Sequence, residues 1–447
     1  MKITKKVLTN SLKKYSNKKM KFLKTLLLLL VAVSVLKSQD TKQGKLINFE
    51  LVRTYTKADL EKKWKEAGIP KAIAPIQYDV EIYEFIYNTC WHDSSCIKAS
   101  GLYFVPKNAK NSPLMVYHHG TQIEKHREVG LGGEMAICIG FATDGFAVAY
   151  SDYVGLGKGE KFHLYHHVYT EAFASIDMVR AVREFNAKHN ISLSEHLFTT
   201  GYSQGGHATM AFQKVVEADP KLSEEFKFTA SAPMSGAYDL TGVQEANMFK
   251  EYSHPGYLPY LMVSFQEVYK LYDDLKTAFK TPYDTKVLSM FNGQYSMGDV
   301  NRQMPRIPKD AIKNEIIDEY LKNEAFPFKV ALRQNSTHNW VPKTPMLLCY
   351  CEADEQVDYK NSIVARDSMQ KLGARNISLR RVSKHMDHGT CALYAVLYTK
   401  MYFESFIKGS KKGRKGPVFK RMLISLAIGQ HVKKDKKKLK NAKNKQR

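Results

Sequence analysis

His196-Leu197-Phe198-Thr199-Thr200-Gly201-Tyr202-Ser203-Gln204-Gly205-Gly206-His207-Ala208-Thr209-Met210-Ala211-Phe212 is the stretch whose reading decides the fold. Leu197–Thr200 is apolar and β-branched with no helical period, which predicts a short buried strand. The residues from His207 onward predict the opening turns of a helix. Between them, Gly201-x-Ser203-x-Gly205 has the spacing of a nucleophile elbow. A chain that reverses sharply from strand to helix forces the serine into a strained backbone conformation, and a glycine two residues to either side leaves room for that turn. The hydroxyl then stands above the sheet edge, and the helix aims its amide-rich N-terminus where negative charge would develop. The same five residues would also suit a Gly-rich turn with a solvent serine. The flanking strand, the flanking helix and the extra Gly206 favour the elbow.

Outward from this stretch, the chain has 447 residues, enough for one large domain with an insertion or for two domains. Its net charge of +24 resembles that of a nucleic-acid binder until the charge is mapped. Residues 1–38 hold ten Lys and no acid, and residues 408–447 hold sixteen Lys/Arg against Asp435. Residues 39–407 are close to neutral, which excludes a basic catalytic face and argues against a nucleic-acid partner. Lys21 and Lys24 precede the apolar run Thr25–Leu36, followed by Lys37-Ser38-Gln39-Asp40. This is the layout of a secretory signal peptide over 1–38, with Met20 as an alternative start and cleavage near Ser38. The run is shorter than the ~20 residues needed to span a bilayer; an uncleaved signal anchor is the alternative. Export permits disulfides. Cys90 and Cys96 flank a short polar turn and suggest a hairpin clasp, while Cys138 reads as a buried thiol.

Strands are expected at Gln77–Asn88, Ile97–Val105, Ser112–Tyr117, Phe146–Tyr150, Phe228–Pro233, Pro345–Tyr350 and Ile377–Val382, and residues 41–76 as a lead-in with one or two helices. Helices are expected at Gly133–Thr143, Thr170–His189, Asn361–Leu372 and Cys391–Ile407. From about 239 to 343 strand-like runs give way to helical pieces rich in aromatics and methionines, which predicts an inserted helical cap over the site. Alternating strands and helices imply a mostly parallel sheet covered on both faces, with sites at the C-terminal strand edge. The folded domain therefore covers 39–407. The basic tail 408–447 reads as a solvated, disordered end; within it, Val418–Ile428 is apolar with Lys420 and Arg421 and suits weak contact with an anionic membrane surface.

A serine hydroxyl needs a base within hydrogen-bond reach and a third group to orient that base. After the elbow, the acid follows strand Pro345–Tyr350 in Cys351-Glu352-Ala353-Asp354-Glu355-Gln356-Val357-Asp358, where Asp354 is favoured over Glu352, Glu355 and Asp358. The base lies in Lys384-His385-Met386-Asp387-His388-Gly389, where His388 is favoured over His385 because it sits just before the closing helix. Oxyanion amides are expected from Gln204, directly after the nucleophile, and from the His118-His119-Gly120-Thr121 loop, at Thr121. His118 and His119 could instead ligate a metal, but adjacent histidines diverge and no third ligand has a fitting spacing; His163, His166 and His167 read as packing or polar contacts near the site. Cys351 and Cys391 each lie within three residues of a candidate triad member, which suggests a disulfide between them.

Beyond the elbow, His119-Gly120-Thr121, Ser151-Asp152-Tyr153-Val154-Gly155-Leu156-Gly157 and Glu171–Ala181 resemble the secretory lipase family of α/β-hydrolases, over roughly Gly101 to Phe406. The Asp-Tyr-x-Gly-x-Gly stretch is the most discriminating of these. The resemblance implies hydrolysis of carboxylic esters, often acyl lipids, a helical cap inserted before the acid strand, and no metal; the reading requires no cofactor. A peptidase of the same superfamily and a non-catalytic binder on this scaffold are the rival readings. The Lys-rich C-terminus departs from the family pattern.

Overall fold

Among the described residues the elbow strand lies in the interior of a nine-stranded sheet ordered β1-β2-β3-β5-β4-β6-β7-β8-β9. The strands are β1 Leu46–Tyr55, β2 Val80–Cys90, β3 Cys96–Pro106, β4 Ser112–His118, β5 Ala147–Ser151, β6 Leu193–Tyr202, β7 Phe228–Met234, β8 Met346–Cys351 and β9 Ile377–Ser383. From β5 to β9 every neighbouring pair is parallel, while β1, β2 and β3 join antiparallel. The central strands are buried along their length, as apolar runs without alternation require when helices cover both faces. The computed structural model describes residues 43–445 apart from 68, 71–73, 412 and 414–415. The expected signal segment lies outside the described residues.

One face is packed by α1 (Lys57–Glu66), α2 (Gly133–Thr143) and α8 (His388–Ile407), whose Trp64, Phe141 and Phe403 join the core with Phe198. The other face is packed by α3 (Val168–His189) and α4 (Gln204–Ala218), through Val179, Phe185 and Phe212. Helix α3 stops where expected, at Asn190 in the left-handed region with φ 55°. Between β7 and β8 the described residues form short helices, including α5 (Tyr257–Tyr269) and α6 (Pro327–Gln334), around their own apolar core of Tyr260, Phe265, Phe279, Phe291 and Phe328. Helix α7 (Lys360–Lys371) lies between β8 and β9.

Three features differ from the sequence reading. Strand β1 occupies part of the stretch read as a helical lead-in. Its side chains are mostly exposed, so the backbone ladder to β2 holds it and the burial pattern that would reveal it is missing. Cys90 and Cys96 are partners across the β2–β3 ladder but are not disulfide-bonded; one is buried and the other exposed. The tail expected to be disordered contains helix α9 (Val418–Lys445), seated on α8 because Ile424, Ile428 and Val432 repeat every four residues and pack against the core.

The elbow itself follows from steric contact. Ser203 has φ 61° and ψ −121°, and its N–H donates to Met234 O at 3.0 Å. A Cβ on Gly205 would stand 1.9 Å from His118 O, and one on Gly201 would stand 2.4 Å from both Gly205 O and His118 O. These are backbone atoms of the neighbouring strand β4 and of the first turn of α4, and they cannot step aside. Gly389, by contrast, has open space around its Cα. Gly205→Ala is therefore expected to destabilise the fold by about 3 kcal/mol or more. Gly389→Ala, inside a helix, is expected to be neutral or to stabilise by up to ~1 kcal/mol. Urea unfolding of both variants checks this, and equal stabilities would contradict the packing argument.

Candidate active site

Parallel pairing sends the C-terminal ends of β4, β6, β8 and β9 to one edge of the sheet, and the loops from these ends meet there. Ser203 is nearly buried, at 7% exposure. A Cβ built on Gly120, in the loop after β4, would stand 3.6 Å from Ser203 Cβ, so this loop runs beside the serine. Asp354 follows β8, and its carboxylate meets His388 Nδ1 at 2.9 Å and 2.7 Å. Asp354 Oδ1 also accepts from Gln356 N and Val357 N, at 3.0 Å and 2.9 Å, which fixes the carboxylate within its own loop. His388 opens α8, whose N-terminus is capped by Asp387 accepting from Thr390 N. The Tyr202 ring lies 4.8 Å from the His388 ring, and Tyr202 Oη donates to His388 O at 2.5 Å. The histidine is thereby tied to the residue preceding Ser203.

The rejected alternatives have other partners. Glu352 pairs with Arg381, Glu355 accepts from the His388 backbone N–H, and Asp358 caps the backbone at Lys360. Cys351 and Cys391 are disulfide-bonded across a 40-residue separation, which joins the Asp354 loop to the start of the His388 helix. Thr121 Oγ1 lies 2.9 Å from Tyr165 Oη. Gln204 begins α4, and its Nε2 donates to Glu171 Oε1 and to His163 Nε2, both at 2.9 Å.

Several of the other histidines are held by protein partners, whereas the buried Nδ1 of His166 has no hydrogen-bond partner among the described residues. His118 lies between Thr199 and Ser175, and burial lowers its pKa to about 3. His119 Nδ1–H donates to Gly120 O. His163 Nδ1–H donates to Val154 O, and burial likewise lowers this ring to about 3. Among the described residues, donor atoms of His166, Glu171 and His207 converge within 4.8 Å. His207 is bonded to Glu171 through Nδ1 at 2.7 Å and to Asn335 O through Nε2 at 2.8 Å.

Beside Ser203 is a void of about 30 Å³ lined by Tyr165, Ala237, Leu240, Tyr257, Leu261 and Val357. It shares Leu240, Tyr257 and Leu261 with a second apolar void, which reaches Met248 and Leu332 inside the cap.

The profile of the secretory lipase family matches residues 122–396. The chain belongs to the secretory lipase family. Among solved structures it is similar to the rice cell wall degrading esterase LipA from Xanthomonas oryzae, in a ligand-bound form, with 28% identity and a TM-score of 0.71 over 83% of this chain and 100% of that one. A putative hydrolase from Legionella pneumophila, 22% identical, aligns with a TM-score of 0.75 over 82% of this chain and 99% of that one. Candida antarctica lipase A in its closed state, 15% identical, aligns with a TM-score of 0.62 over 81% and 83%. These last two share the fold alone. No curated protein matches by sequence. This secretory lipase family member is thus a carboxylic ester hydrolase of the α/β-hydrolase fold, which sets aside the peptidase and the non-catalytic binder.

Sequence reasoning missed Glu134, in the first turn of α2. Its carboxylate accepts from Gly120 N at 2.9 Å and 3.1 Å, pinning the loop that carries Thr121. Burial pushes this carboxyl up to about 7, against the opposing pull of the Gly120 N–H, Tyr117 and His388. Only a first-turn acid on an otherwise apolar helix signals it in the sequence. The folded protein keeps this proton to about pH 7, whereas the unfolded chain releases it near the ordinary glutamate value of 4.5. Between those values the unfolded state binds fewer protons, so stability falls as pH rises through the window and is level above it. Glu134→Gln has no such proton to lose. Relative to wild type its unfolding free energy should gain roughly 3 kcal/mol across the window. Urea melts at pH 4.5, 6 and 7.5 test this; parallel pH curves for the two proteins would refute it.

Proposed function

We propose that this secretory lipase family member is an exported serine esterase or lipase acting on acyl esters through Ser203, His388 and Asp354. The observation that carries the reading is the pair of hydrogen bonds between the Asp354 carboxylate and His388 Nδ1, at a ring that lies against Tyr202. A carboxylate at Nδ1 holds the proton there, which leaves Nε2 as the basic lone pair. Ser203 Oγ attacks the ester carbonyl carbon while its proton passes to His388 Nε2. The oxyanion is held by the backbone amides of Gln204 and Thr121. Collapse breaks the carbon–oxygen bond to the alcohol, which leaves with the proton from His388. Water then attacks the acyl-serine with His388 as base, releasing the carboxylic acid and restoring Ser203.

The strained φ of 61° at Ser203 supports the nucleophile role. The linked apolar voids favour an acyl chain on the cap side. A disulfide between Cys351 and Cys391 fits an oxidising compartment and hence the signal peptide read over 1–38.

Ser203→Ala should lower kcat on p-nitrophenyl butyrate by about 10⁴-fold or more with an unchanged circular dichroism spectrum. Activity within tenfold of wild type would remove Ser203 from the mechanism. Leu261→Trp fills the junction of the two voids. It should lower kcat/KM for decanoate relative to acetate esters on the order of tenfold, and an unchanged ratio across the ester series would place the acyl chain elsewhere.

A further inference from the structure

Helix α9 runs antiparallel to α8. Near the end of α8, Lys420 Nζ is 3.5 Å from Glu404. Ile424, only 2% exposed, sits against Leu397 and Met401. Toward the start of α8, the His431 ring is 6.0 Å from Tyr394. Tyr394 is six residues after His388. An equal rise along α9 brings about residue 437 level with His388, and the remaining turns of this helix continue roughly 12 Å past it. The C-terminal half of α9 therefore emerges at the sheet edge that holds Ser203 and His388.

Two patterns on α9 have no use inside the fold. Val418, Phe419, Met422 and Leu426 lie on one stripe, turned away from Ile424, and are between 53% and 71% exposed. Beyond them, residues 433–445 hold eight Lys and one acid, with Lys433 and Lys434 exposed. Among the described residues no helix is long and apolar enough to cross a membrane. An exposed apolar stripe that continues into a polybasic segment suits a helix lying in the headgroup region of an anionic bilayer. Charge decides against the other occupants. A second copy would set two lysine blocks against each other, and the acidic run Glu352–Asp358 is already engaged by Arg381, His388 and the Lys360 backbone. A nucleic acid would match the lysines but leave the apolar stripe in water.

We propose that α9 docks this enzyme on anionic lipid surfaces. Val418, Phe419, Met422 and Leu426 enter the headgroup boundary, and the basic half of the helix holds the anionic headgroups beside the catalytic edge. The surface is independent of the triad assignment, because none of its residues belongs to the site.

The test is sedimentation of the full-length protein with phosphatidylcholine vesicles, with and without phosphatidylglycerol, beside a soluble-ester assay. Wild type should bind only the anionic vesicles. Binding should fall about tenfold or more in Phe419→Glu/Met422→Glu/Leu426→Glu, and separately in Lys433→Glu/Lys434→Glu/Lys436→Glu/Lys437→Glu, while both variants hydrolyse p-nitrophenyl acetate as wild type does. The proposal is overturned if wild type ignores the vesicles, if it binds neutral ones equally, or if either variant binds like wild type. It is also overturned if light scattering shows a wild-type dimer that the apolar variant converts to monomer.

Discussion

The strained turn at Ser203 is the constraint around which the fold is built. A non-glycine residue at φ 61° persists only where its surroundings over-determine it. Here they do so through the Met234 carbonyl, which accepts the Ser203 N–H, and through the His118 carbonyl, against which Gly201 and Gly205 lie with no room for a side chain. These partners belong to β7 and β4, the two strands flanking β6. The turn is therefore stable only after three strands have assembled in register, and the same assembly sets the loop after β4 beside the serine.

A second level of organisation acts on residues far apart in the chain. Asp354 and His388 are 34 residues apart and occupy different elements, yet their loops are tied at three points. These are the carboxylate–imidazole contact itself, the Glu355 carboxylate on the His388 amide, and the Cys351–Cys391 disulfide. The disulfide restricts the unfolded chain and holds the two loops together when the site is empty. The hydrogen bonds then supply direction, which a covalent tie alone does not give to an imidazole.

How much of this was legible in the sequence depends on how local each signal is. The elbow was readable because strand, turn and helix are contiguous. The meeting of Asp354 with His388 was readable by position, because strand ends on a parallel sheet share one edge. Strand β1 was not, since its mostly exposed side chains leave no alternating apolar pattern. Helix α9 was hidden by its lysines, which dominate the composition over the four-residue spacing of Ile424, Ile428 and Val432. The meaning of Glu134 lies entirely in its tertiary contact with Gly120, fourteen residues upstream, and no local pattern encodes that. Cys90 and Cys96 show the reverse case: the spacing suggests a clasp, the strands do pair them, and no disulfide joins them.

The buried polar residues behind the elbow explain how the cap is attached. Asn335, just after α6, is 2% exposed. Its side chain accepts from Val168 N at the start of α3 and donates to Tyr269 Oη at the end of α5, while its carbonyl faces His207 Nε2 on the nucleophile helix. His207 is held in turn by Glu171, which also receives the Gln204 side chain. One chain of hydrogen bonds thus runs from the C-terminal root of the cap to the residue whose amide follows Ser203. Buried networks of this kind are costly to break in part, so this root is fixed to helix α4 behind Ser203. The void beside Ser203, at about 30 Å³, has room for only roughly two or three waters. An ester must therefore gain entry by displacing side chains such as Tyr257 and Leu261 within the apolar part of the cap, where contacts are non-directional and can re-form around an acyl chain. A hinge at Asn335 would disturb the hydrogen-bond chain that reaches Gln204, and the bonding pattern opposes it.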